Sequence, residues 1–96
     1  MNVGEIKNKI SPILESNEIE FAGIFGSYAR GEEIKDSDID ILVKFKNPKS
    51  LLKVVGLEMD LSDALQKKVD LVTEGGICPH IKKDVLKDLQ LIYGRR

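Results

Sequence analysis

The sequence predicts an α+β domain, a small mixed β-sheet of three to four strands flanked by helices. Three apolar runs of strand length, at residues 19–25, 38–45 and 68–73, carry the sheet. Longer stretches around them, at 3–17, 50–67 and 80–93, repeat apolar residues at helical spacing and carry the helices. The chain has 96 residues, so residues 1–96 read as one domain with a modest core.

Along the chain, Val3, Ile6, Ile10, Ile13 and Leu14 form the stripe of a first amphipathic helix. Pro12 lacks an N–H and is expected to kink that helix or divide it. The run IEFAGIF, residues 19–25, is the first strand, and Gly26-Ser27 is its exit. Tyr28 to Gly31 reads as a short helical turn with Tyr28 half-buried, and residues 32–37 as a charged loop.

The next strand, residues 38–45, sets the chemistry. Strand side chains alternate faces, so Asp38 and Asp40 point the same way, with α-carbons ~6–7 Å apart. Ile39 and Ile41 then point into the core. Asn47-Pro48 marks a turn, and Ser50 caps a helix running to about Lys67. One stripe of that helix, Val54, Leu57, Leu61 and Leu65, can cover the sheet. A second, Leu52, Val55 and Met59, meets either the other helices or a partner protein. Residues 68–73 form the third strand, with Asp70 and Val72 on one face. Glu74-Gly75-Gly76 leads to a last helix at about 80–93, striped by Ile81, Val85, Leu89 and Ile92, with Gly94 to Arg96 as a frayed tail.

Two carboxylates on one side of a rigid strand offer hard oxygen ligands for Mg²⁺, which fills its other positions with water and phosphate oxygens. Gly26 permits close backbone approach to a ligand, and Ser27 adds a hydroxyl donor at a helix opening that favours anions. Asp-x-Asp is a common surface pattern, and Gly-Ser is usually just a turn. Their order, with ten residues between Ser27 and Asp38 and isoleucines interleaved with the acids, points to phosphoryl or nucleotidyl transfer. Arg30 meets either a substrate phosphate or one of Glu32, Glu33 and Asp36.

The stretch FGSYARGEEIKDSDIDILV resembles the signature of the polymerase-beta-like nucleotidyltransferase superfamily, and more closely its minimal nucleotidyltransferase (MNT) members. Phe25, Gly26, Ser27, Asp38, Ile39, Asp40 and Ile41 fill the signature, and Ala29-Arg30-Gly31 and Ser37 match the minimal group. The resemblance implies the polymerase-beta-like fold, with Asp38 and Asp40 holding one or two Mg²⁺ ions that carry ATP. It implies that Gly26 and Ser27 grip the phosphates and that Asp70 supplies the third carboxylate, which binds the metal nearest the acceptor hydroxyl and helps to deprotonate it. It also implies a protein adenylyltransferase of the HEPN/MNT toxin–antitoxin type, moving AMP onto a tyrosine of a HEPN-type ribonuclease toxin. The alternatives are an antitoxin that neutralises its partner by covering it, and an enzyme modifying a small molecule, for which no acceptor pocket is visible.

The remaining composition narrows the classes. Net charge is −1 with signs interspersed, which leaves no electrostatic footprint for nucleic acid. Cys78 is the only cysteine and has no visible catalytic partner; a reducing cytoplasmic setting is expected. His80 is the only histidine, and a helix start disfavours its charged form. No apolar run approaches membrane-span length. A homo- or hetero-oligomer is compatible with so small a core.

Overall fold

The computed structural model describes all 96 residues. Helix α1, Val3–Glu15, opens at Asn2, whose side-chain oxygen accepts the Glu5 N–H at 2.9 Å. Ile6, Ile10 and Leu14 recur every fourth residue and are fully buried. The helix runs through Pro12 undivided. Pro12 lies in the last turn and forfeits only its own N–H bond to the carbonyl four residues back, while its carbonyl accepts from the Ser16 N–H and hydroxyl.

Strand β1, Ile19–Phe25, leads into the four-residue helix α2, Ser27–Arg30. Strand β2, Ile39–Phe45, lies antiparallel to β1. Helix α3, Leu51–Leu65, starts where predicted, with the Ser50 hydroxyl accepting the Lys53 N–H. Strand β3, Val69–Thr73, pairs parallel to β2. A single 3₁₀ turn, Glu74–Gly76, then leads to helix α4, Pro79–Asp88.

The end of the chain departs from expectation. The predicted helix to residue 93 stops at Asp88, and Gln90–Gly94 forms a fourth strand, β4, antiparallel to β1. Val85 and Ile92 fitted one helical stripe but lie on opposite faces of the sheet. Val85 packs with Phe21, Leu42 and Ile77, whereas Ile92 packs with the α1 and α3 residues. Ile81, assigned to the same stripe, is 53% exposed. Pairing β4 with β1 satisfies an edge that would otherwise be open. Gly94, expected to fray, is paired with Phe21.

The sheet order is β3-β2-β1-β4. One face carries Ala22, Ile24, Ile39, Ile41 and Val43, all buried, beneath α1 and α3. Leu57, Leu61 and Leu65 are the α3 residues that close this core. Tyr28 joins it at 4% exposure, so it is buried rather than half-buried. The opposite face, bearing Phe21, Leu42 and Val72, lies beneath α4. The second α3 stripe meets no other helix. Leu52 is 84% exposed and Met59 62% exposed, with Leu51 and Val55 beside them.

Candidate active site

Asp40 and Asp70 lie on the same face of the sheet as Leu42 and Val72, the face that α4 covers. Asp38 immediately precedes β2, Asp40 is its second residue, and Asp70 is the second residue of β3. Asp40 is paired in register with Asp70 on one side and with Phe25 on the other. Neighbouring strands are about 4.8 Å apart and register partners share a face, so Asp40 and Asp70 stand side by side. All three acids are half-buried.

The bend after β1 closes the other side. Gly26 has φ 75° and ψ −153°, a region that is essentially glycine's own. A β-carbon at Gly26 would run into the Asp40 carboxylate oxygen and would sit 3.2 Å from its Cγ. The backbone at the Gly-Ser step therefore lies directly against the acid. Ser27 then starts α2, and its carbonyl accepts the Glu32 N–H at 2.9 Å, which folds the turn back on itself.

These neighbours change the electrostatics of Asp40. Burial pushes its carboxyl above the ordinary range, and the adjacent Asp70 and Asp38 push it the same way, while Arg30 opposes them. Asp38 leans toward Lys68, with 3.8 Å between charged atoms. No group of three His, Cys, Asp or Glu side chains is drawn together tightly enough to hold a metal ion unaided. The donor set nonetheless fits a hard divalent cation. It is all oxygen and mutually repelling, and the clearance beside it exists because position 26 has no β-carbon. Phosphate oxygens and water normally complete such a shell.

Arg30 is beside the site but engaged elsewhere. Its Nε donates to Glu32 at 2.5 Å and its Nη1 to Asp88 at 2.6 Å. Hydrogen bonds to Glu32 and then Asp88 hold the guanidinium more firmly protonated than usual. Glu32 was among the expected partners. Asp88, 58 residues away, carried no signal in the sequence. Gln90 also reaches the turn, donating to the Ala29 carbonyl at 2.5 Å, and it was hidden for the same reason. His80 and Cys78 are exposed at the start of α4, away from the acids.

The larger concavities lie elsewhere. A cleft of about 450 Å³ sits at the far ends of β2 and β3, lined by residues including Phe45, Lys49, Thr73 and Lys82. It holds no cluster of acids; Asp38, Asp40 and Asp70 gather instead beside the Gly26 bend.

Residues 8–96 match the family described as polymerase beta, nucleotidyltransferase. The chain belongs to that nucleotidyltransferase family. Within it, this nucleotidyltransferase is 49% identical over 88 residues to a Methanocaldococcus jannaschii protein provisionally named a protein adenylyltransferase; the match covers 92% of this chain and 95% of the relative. Among solved structures, it superposes with a TM-score of 0.84 and 28% identity on a chain of a toxin–antitoxin complex crystallised with AMP-PNP, covering 94% of this chain and 74% of that one. A further match, with TM-score 0.77 and 26% identity, is to a chain in the Shewanella oneidensis complex of a tri-AMPylated HEPN toxin with its MNT antitoxin, covering 96% and 72%. The expected fold and enzyme class are thus borne out.

Proposed function

We propose that residues 1–96 act as one Mg²⁺-dependent unit that transfers AMP from ATP to a tyrosine of a HEPN-type toxin. The observation that carries this reading is the placing of Asp40 between Asp70 and the Gly26 bend. Asp38 and Asp40 would hold the Mg²⁺, which when bound supplies positive charge to the phosphate oxygens. Gly26 and Ser27 keep the triphosphate tail close to the backbone. Arg30 exchanges Glu32 or Asp88 for a phosphate oxygen, a better match for its charge.

Asp70 faces the acceptor. Its carboxylate takes the proton of the attacking hydroxyl as the oxygen–phosphorus bond forms. The bond from the α-phosphorus to the β-phosphate oxygen breaks, and pyrophosphate leaves with that electron pair. The product is AMP esterified to the tyrosine. The ledge is open, so a protein must supply the far wall of the site. The tri-AMPylated toxin of the Shewanella complex and the exposed α3 stripe both support a protein acceptor.

The same stripe favours a second reading, in which the chain neutralises its partner by covering it. The test uses a purified HEPN-type protein encoded beside this chain's gene, with Mg²⁺ and ATP labelled on the α-phosphate. Label and an AMP-sized mass gain on that protein, absent with Asp38→Asn and Asp40→Asn, support transfer. Neutralisation that persists in both variants without any mass gain supports covering.

A further inference from the structure

Strand β3 is the outer strand of the sheet on the acid side, paired only with β2. It has five residues and carries Asp70 at its second position. Such an edge is easily frayed, and a slip of one residue would turn Asp70 to the opposite face. Two of its outward amides are not left to solvent. The Ser62 hydroxyl accepts the Val69 N–H at 3.1 Å, and the Glu58 carboxylate accepts the Leu71 N–H at 2.9 Å. Both bonds are partly buried, and the two donors flank Asp70 on either side.

Glu58 and Ser62 are one helical turn apart on α3, next to the fully anchored Leu57 and Leu61. Two side chains of a rigid helix therefore stand in for the missing neighbouring strand. The bond to the carboxylate is the stronger, because a charged acceptor roughly doubles a hydrogen bond's strength. It fixes the peptide immediately after Asp70.

We infer that Glu58 is a positioning residue for Asp70: through the Leu71 N–H it fixes the register and direction from which the third carboxylate meets the acceptor hydroxyl. This rests on the role given to Asp70 above. Glu58 acts through the Leu71 N–H rather than on the nucleotide or the acceptor. Its loss shifts Asp70 and leaves the phosphate side, Gly26, Ser27, Asp38 and Asp40, in place.

The test compares Glu58→Ala, Glu58→Gln, Asp70→Asn and the double variant Glu58→Ala/Asp70→Asn, using AMP transfer, equilibrium ATP binding and amide hydrogen exchange. Misplacing a reacting group by an ångström costs on the order of 100-fold, so Glu58→Ala is expected to lower kcat by about 10–100-fold. ATP affinity should stay as in the unaltered chain. Glu58→Gln keeps an acceptor oxygen and should restore most of the rate. The double variant should be no slower than Asp70→Asn alone, and the Leu71 amide should exchange faster in Glu58→Ala while the β2 amides do not. Should Glu58→Ala fail to fold, Ser62→Ala loosens the other side of Asp70 and should give a smaller loss confined to kcat. A Glu58→Ala protein with full kcat, or one that slows the Asp70→Asn background as much as the native one, overturns the inference. Full activity in Asp70→Asn would instead overturn the role of Asp70 itself.

Discussion

Replacing Gly26 by alanine probes the contact on which the site is built. Two penalties apply. A residue with a β-carbon at φ 75° and ψ −153° is strained by about 1–3 kcal/mol. The added methyl also meets the Asp40 carboxyl, 3.2 Å from its Cγ, and overpacking of this kind costs about 1–3 kcal/mol more. The sum, about 2–6 kcal/mol, is a large share of the roughly 5–15 kcal/mol that stabilises a domain. At 4–8 °C per kcal/mol for a chain of this size, even the lower bound lowers Tm by about 8–16 °C.

Gly31 supplies the control. It has φ 71° and ψ 23° with nothing within 4 Å of an added β-carbon, so Gly31→Ala carries only the left-handed backbone penalty, about 1–2 kcal/mol. Thermal melts of both variants, repeated in an Asp40→Ala background, separate the two penalties. Removing Asp40 should recover the collision share of the Gly26→Ala loss and none of the Gly31→Ala loss. A Gly26→Ala protein that melts with the native chain, or a penalty unchanged when Asp40 is gone, would refute the contact.

The other expectations concern the acid, the core and the open face. In the folded chain Asp40 holds its proton more tightly than an unfolded Asp, because of burial and then of Asp70 and Asp38. Its favourable contribution is present below the ordinary Asp range and is lost as pH rises through the raised pKa, so at pH 7 the ionised group opposes folding. Asp40→Asn should therefore raise Tm at pH 7 while abolishing transfer, and the gain should vanish once pH falls below about 4; a lower Tm at pH 7 would contradict this. Leu61 is fully buried between α3 and the sheet, so Leu61→Ala should lose about 2–5 kcal/mol in urea unfolding. Leu52, 84% exposed, should accept Leu52→Asp within about 0.5 kcal/mol in the free chain, while co-purification with a HEPN-type partner weakens.

The parts of this molecule that were legible before the structure are those written in local pattern. Asp38 and Asp40 declare a shared face by spacing alone, and Ser50 declares a helix start by its capping chemistry. Asp70 stood out as an acid in an apolar run, but only strand pairing puts it opposite Asp40. The end of the chain misled because Val85, Leu89 and Ile92 satisfy a helical period equally well as a helix or as a helix followed by a strand. What decided between them was the unpaired edge of β1, a fact of three-dimensional arrangement. Arg30 with Asp88, and Glu58 with the Leu71 N–H, were hidden for the same reason: each joins segments whose proximity no local pattern encodes.

A crystal of the chain with Mn²⁺ and a non-hydrolysable ATP analogue, with the metal located by its anomalous scattering, tests the acid site most directly. The expected result is a peak about 2.0–2.2 Å from carboxylate oxygens of Asp38 and Asp40, with the triphosphate along Gly26 and Ser27. A nucleotide seated instead in the cleft beside Lys49 and Lys82, with no metal at the acids, would contradict it.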